Sequence, residues 1–108
     1  MSNKKPLVSV VINCYNGERF LKEAIDSVYS QSYKYWEIIF WDNSSTDNSS
    51  LIAKSYDNRL RYYYNKINVP LGEARNKAVA FCKGDFICFL DTDDIMCPNK
   101  LECQLPLF

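Results

Sequence analysis

The chain has 108 residues, enough for one domain and no more. Lys plus Arg and Asp plus Glu balance at 13 each, so no basic excess points to nucleic acid and no acidic tail to a solvating role. With no histidine, neither a Ser-His-Asp or Cys-His catalytic centre nor a Cys/His zinc site can be built from this chain, and three glycines, at 17, 72 and 84, exclude both G-x-G-x-x-G and the Walker A loop.

The N-terminal residues Met1 to Pro6 are too polar for a signal peptide, and no apolar run approaches the ~20 residues of a membrane span. Five cysteines, an odd number without a Cys-x-x-Cys pair, read as free thiols. Cys14, Cys82 and Cys88 lie in apolar segments and behave there as small hydrophobes. The expected location is cytoplasmic, with peripheral attachment at the inner membrane face left open.

Pro6 to Asn13 is β-branched and nearly all apolar, and predicts a first buried strand. It ends in the turn-forming run Asn13-Cys14-Tyr15-Asn16-Gly17. From Glu18 the period changes. Phe20, Leu21, Ala24, Ile25 and Val28 share one face, which predicts an amphipathic helix to about Ser30. Trp36 to Trp41 predicts a second strand, ended by the polar run Asp42 to Asn48. A short helix carries Leu51, Ile52 and Tyr56. Leu60 to Tyr64 predicts a third strand whose weak alternation suits a sheet edge. Leu71 to Cys82 returns to helical spacing, with Gly84 as the expected stop. Asp85 to Leu90 predicts a fourth strand, buried on both faces. Pro98 to Gln104 predicts one more short helix.

Strands alternating with helices over short links predict an α/β fold: three-layer α/β/α with a mainly parallel sheet. Ligands of such sheets bind outside the carboxyl ends of the strands. The polar clusters Asn13-Tyr15-Asn16, Asp42-Asn43-Ser44, Arg75-Asn76 and Asp91-Thr92-Asp93-Asp94 follow the four strands in turn, and all can open onto one rim. On an extended backbone Asp91 and Asp93 point to the same side. Paired carboxylates suit Mg2+ or Mn2+ with a phosphate. A solvated turn, with Asp93 or Asp94 capping the next helix, is the alternative. Tyr15 offers a face for base stacking or is a half-buried aromatic. Asp42 and Asn43 offer an acceptor and a carboxamide to a base edge or ribose, unless Asp42 caps the second helix. Arg75 offers a fork of donors to phosphate, or an ion pair with Glu73 or Asp85.

In this order, Val8 to Asn16, Ser27-Val28-Tyr29-Ser30-Gln31-Ser32-Tyr33, Asp42 to Asp47, Ala74-Arg75-Asn76 and Gly84 to Asp94 resemble glycosyltransferase family 2, whose members have the Rossmann-like GT-A fold. The resemblance implies metal-dependent, inverting transfer of a sugar from a nucleoside-diphosphate sugar to a carbohydrate or lipid-linked acceptor, with Mn2+ or Mg2+ as cofactor. It implies donor contacts at Asn13, Tyr15, Asn16, Asp42, Asn43, Arg75 and Asp91, and metal contacts at Asp91, Asp93 and Asp94. The family commonly has Pro-Thr or Pro-Ala where this chain has Asn13-Cys14, and often two acids where it has Asp42-Asn43. The base therefore stays open among UDP, dTDP and GDP donors, with a UDP-sugar expected first. The resemblance places the catalytic base beyond residue 108. The chain is thus expected to be the donor-binding, N-terminal part of an incomplete domain that transfers sugar poorly alone. A non-catalytic nucleotide-sugar-binding or assembly subunit of the same fold is the alternative. A nucleotidyltransferase fits less well, because only Gly17 is available for its glycine-rich loop. Apolar surface near Phe89, Leu105, Leu107 and Phe108 is expected to be exposed and to promote self-association.

Overall fold

A computed structural model describes residues 5–105. Its elements are β1 (Val8–Cys14), α1 (Glu18–Tyr29), β2 (Trp36–Asp42), α2 (Ser49–Lys54), β3 (Leu60–Tyr64), α3 (Leu71–Val79), β4 (Phe86–Asp91) and α4 (Lys100–Gln104). Every strand pairing is parallel, and the order across the sheet is β3-β2-β1-β4.

The two faces of the sheet carry separate apolar layers, because side chains alternate along each strand. On one face Val8, Val10, Ile12, Ile38, Phe40 and Leu90 pack against Leu21, Ala24, Ile25 and Val28 of α1, with Ala53 of α2 and Leu101 of α4. On the other, Val11, Ile39 and Trp41 meet Ala74 and Ala78 of α3. The α/β/α layering read from the sequence is therefore the observed one. Leu21, Ile25 and Val28 are fully buried, each worth about 1.5–3 kcal/mol of transfer free energy.

Opposite the polar rim, at the strand starts, Glu37 ties three elements together. It accepts hydrogen bonds from Ser9 Oγ at 2.6 Å, from the Lys83 amide at 2.8 Å and from Arg61 Nη2 at 2.7 Å. Arg61 also donates to the Phe81 carbonyl at 2.8 Å. Phe81 and Cys82 bond back three residues rather than four, to Ala78 and Val79. This tightening ends α3 at Val79, short of the expected Cys82. Gly84 is not a left-handed cap, since no glycine has positive φ among the described residues. It is needed for close approach. A Cβ there would lie 2.6 Å from the Ser9 amide nitrogen and 2.8 Å from the Leu7 carbonyl oxygen.

The expectation that β4 is buried on both faces is corrected. Only Leu90 of this strand is buried, while Phe86, Ile87, Phe89 and Asp91 are exposed. An apolar run does not report position in the sheet. Among the described residues β4 pairs with β1 alone, and α3 reaches the β1–β2 side of its face. Phe89, 42% exposed, matches the expected apolar surface, whereas Leu105 is half-buried. Leu107 and Phe108 lie outside the described residues. All five cysteines are free thiols, Cys14 buried, Cys82 and Cys88 half-buried, Cys97 and Cys103 exposed. Among the described residues no helix is long and apolar enough to cross a membrane.

Candidate nucleotide and metal site

The carboxyl ends of β1, β2 and β4 form one rim because the three strands are in register. Asn13 is level with Trp41 of β2 and with Asp91 of β4. Where β1 ends, Asn16 takes the left-handed conformation at φ 51°, which asparagine tolerates better than most residues. Its side-chain oxygen then accepts from the Thr46 amide at 2.8 Å and the Asp47 amide at 3.3 Å. Its own amide donates to Ser45 Oγ at 2.8 Å. The starts of α1 and α2 are cross-linked as well. The Glu18 amide donates to Asp47, and the Asn48 amide to Glu18. Asn16 therefore sits on the rim with its side-chain oxygen engaged by the neighbouring loop.

Asp42 lies beneath the rim rather than on it. Its residue is fully buried. One carboxylate oxygen accepts from the Ser45 amide at 2.8 Å and the other from the Tyr62 hydroxyl. Burial first, then the bond to Asp42, raises the Tyr62 phenol well above its ordinary pKa. The carboxylate accepts from a loop amide and not from the start of α2, so it does not cap that helix. Asn43 closes a two-way bond with Val69, donating to its carbonyl at 2.7 Å and accepting from its amide at 3.1 Å. This holds the β3–α3 loop against the end of β2.

Two adjoining clefts open on the rim and share Asn13, Tyr15 and Leu71. The larger, about 590 Å³, is lined by Asn16, Gly17, Arg19, Phe20, Asp91, Thr92 and Asp93 besides these. The smaller, about 300 Å³, runs past Asn43, Asn68 and Val69. Tyr15 is 56% exposed between them. The Asn13 side-chain oxygen is buried and has no hydrogen-bond partner among the described residues. Asn68 donates to the Asn43 carbonyl at 3.1 Å. Periodicity did not single out Asn68 or Arg19, and it placed Phe20 on the apolar face of α1, whereas Phe20 is exposed on the larger cleft. Asn68 sits in a loop, and Arg19 and Phe20 belong to a helix whose faces were sorted as apolar and solvated. For Arg19 and Phe20 the signal available was proximity in sequence to the Asn16-Gly17 turn; Asn68 had none of this kind.

At the end of β4, carboxylate oxygens of Asp91, Asp93 and Asp94 all come within 4.8 Å of one another, and all three residues are exposed. An oxygen-only donor set of this kind fits a hard divalent cation. Arg75 of α3 reaches the same place. Its Nη2 is 3.6 Å from Asp91 Oδ1, and its guanidinium carbon is 4.9 Å from the Phe89 ring centre. Its Nε is buried with no partner among the described residues. The expected alternatives for Arg75 were Glu73 and Asp85. Asp85 instead accepts from the Leu7 amide at 2.9 Å. Asn76 is exposed on α3. The structure thus gathers Asn13, Tyr15, Asn16, Asp91 and Asp93 around the larger cleft, with Arg75 beside Asp91, Asn43 on the smaller cleft and Asp42 bracing its loop beneath the rim.

The profile of glycosyl transferase family 2 matches residues 9–108. The chain belongs to that family. EpsE of Bacillus subtilis, which carries a provisional glycosyltransferase name, is 42% identical over 107 residues, covering 95% of this chain and 38% of its own. The Escherichia coli UDP-Glc:alpha-D-GlcNAc-diphosphoundecaprenol beta-1,3-glucosyltransferase WfgD is 37% identical over 102 residues, covering 94% of this chain and 40% of its own. Among solved structures, residues 1–349 of S. aureus TarS in complex with UDP superpose with a TM-score of 0.84 at 29% identity, covering 89% of this chain and 30% of that one. The family 2 chain described here therefore spans well under half the length of these relatives. Its sheet is that of GT-A glycosyltransferases.

Proposed function

We propose that this chain is the nucleotide-sugar-binding part of an inverting, metal-dependent glycosyltransferase, with donor and cation meeting on the rim. The observation that carries the reading is the convergence of three carboxylates beside Arg75, on a cleft lined by Asn13 and Tyr15. Asp91, Asp93 and Asp94 would hold Mn2+ or Mg2+. When bound, that ion neutralises the diphosphate and, as a Lewis acid, favours its departure. Arg75 donates to a phosphate oxygen from the side of Asp91. Tyr15 presents its ring to the base, and the unpartnered oxygen of Asn13 accepts from it. The carboxamides of Asn43 and Asn68 frame the smaller cleft. Asn16 and Asp42 hold the two loops in place.

A UDP-sugar is the first donor to test. TarS was solved with UDP, and the name of WfgD contains UDP-Glc and a diphosphoundecaprenol acceptor. A carbohydrate or lipid-linked acceptor and work at the cytoplasmic face of a membrane are part of the same proposal. The catalytic base is expected outside these residues, so donor binding and not turnover is the activity to measure. Calorimetric titration of the 108-residue chain with UDP, dTDP and GDP, each with and without Mn2+, tests the reading. Mn2+-dependent binding, tightest for UDP, is expected. Binding that ignores the metal, or none to any nucleotide, overturns it.

A further inference from the structure

Outside the clefts, two polar side chains on the inner side of α1 reach the chain that follows the acidic turn. Ser27 lies in the last turn of α1, and Gln31 two residues beyond its end. Gln31 is fully buried. Its Nε2 donates to the carbonyls of Ser27 at 3.2 Å and Cys97 at 2.6 Å, and its Oε1 accepts from the Leu101 amide at 3.1 Å. Ser27 Oγ accepts from the Met96 amide at 2.9 Å and donates to the Ala24 carbonyl at 2.6 Å. The Ser32 amide adds a bond to the Pro98 carbonyl at 2.7 Å. Burying a carboxamide is unfavourable unless it is bonded. Here four of the bonds fasten residues 96–101 to the last turn of α1 and the residues just after it, across 66 to 70 positions of sequence.

The acidic turn lies between two fixed ends. Upstream, Asp91 is held by the pairing of β4 with β1. Downstream, Met96 is buried two residues after Asp94 and its amide is anchored on Ser27. Within the turn, the Asp94 amide closes on the Asp91 carbonyl at 3.1 Å. Three carboxylates with oxygens inside 4.8 Å repel one another. With a loose downstream end, the turn would relieve that repulsion by opening. We propose that Gln31 and Ser27 are positioning residues for the cation site: they hold the downstream end so that Asp93 and Asp94 stay converged with Asp91 before any ion arrives. The inference rests on the metal reading above and adds residues that touch neither ion nor donor.

The test measures Mn2+ binding to the 108-residue chain by the electron paramagnetic resonance of the unbound ion. Gln31→Met keeps the volume and removes all three bonds. Ser27→Ala removes the Met96 anchor alone. Leu60→Ala is the control, a core deletion on β3 at the far edge of the sheet. Loss of a partner bonded directly to a ligand typically costs about 10–100-fold in metal affinity; Gln31 acts one step further out, so Gln31→Met should weaken Mn2+ by about threefold to tenfold. Ser27→Ala should weaken it by less, and folded Leu60→Ala should bind as the parent does. In metal-free protein, the Met96 and Leu101 amides should exchange faster in Gln31→Met than in Leu60→Ala. Parental Mn2+ affinity in folded Gln31→Met, or an equal loss in Leu60→Ala, overturns the inference. Should Gln31→Met fail to fold, Ser27→Ala decides, and parental affinity there overturns it. A parent chain that binds no Mn2+ sinks the metal reading and this inference together.

Discussion

Asp42 separates a carboxylate that braces the site from one that reads the donor. It accepts from the Ser45 amide and the Tyr62 hydroxyl in a fully buried position. A hydrogen bond to a charged group is worth about 1.5–3 kcal/mol, so removing both in Asp42→Ala costs about 3–6 kcal/mol. A domain of this size holds roughly 5–15 kcal/mol in all, which makes the alanine variant a poor reagent. Asp42→Asn keeps the shape and one acceptor but loses the charge. Charge-assisted bonds are roughly twice as strong as neutral ones, so the expected loss is about half, some 1.5–3 kcal/mol. At a urea dependence of about 1.5 kcal/mol/M, the unfolding midpoint should fall by about 1–2 M. The fluorescence of the buried Trp36 and Trp41 reports the transition. UDP titration without urea should show the folded variant binding close to the parent. An unchanged midpoint with lost UDP affinity would refute the reasoning, because it would mean that the carboxylate faces the donor.

Asp93→Asn should abolish most Mn2+ affinity by titration without lowering the thermal midpoint of the metal-free chain, since it removes a like charge from an exposed cluster. Gly84→Ala forces a Cβ to 2.6 Å from the Ser9 backbone. Overpacking of about 1–3 kcal/mol translates into a calorimetric midpoint lowered by roughly 5–20 °C. Burial pushes the Glu37 carboxyl up, but the bonds from Ser9, the Lys83 amide and Arg61 outweigh it and hold it below its ordinary 4.5. A depressed folded pKa stabilises the protein fully above the unfolded value and loses that stabilisation as pH falls through the folded one. Glu37→Gln should therefore be less stable at neutral pH and lose less on acidification below about pH 4.5. Urea midpoints measured from pH 7 down to pH 3 check this. A parallel downward shift at every pH would contradict it.

Much of this protein was legible in its residues. Alternating β-branched and helical periods are local properties, so the element order, the parallel α/β layering and the rim of polar clusters followed from spacing alone. The convergence of Asp91, Asp93 and Asp94 was readable too, because they are close neighbours where a strand ends. Which side chains face the clefts was not readable. Asp42 follows a strand as a rim residue would, yet it is fully buried and bonded to Ser45 and Tyr62, while Asn16 lines the larger cleft with its side-chain oxygen engaged by the Thr46 and Asp47 amides. The apolar run of β4 suggested burial on both faces, but burial is set by long-range packing, and among the described residues β4 pairs with β1 alone. Gln31 belongs to a run that carries the family resemblance, but spacing gave no hint of its bonds to groups 66 and 70 residues away. Periodicity records how each segment meets water. Hydrogen bonds that close across the fold depend on which distant backbone groups arrive beside them, and that is decided only when the layers pack.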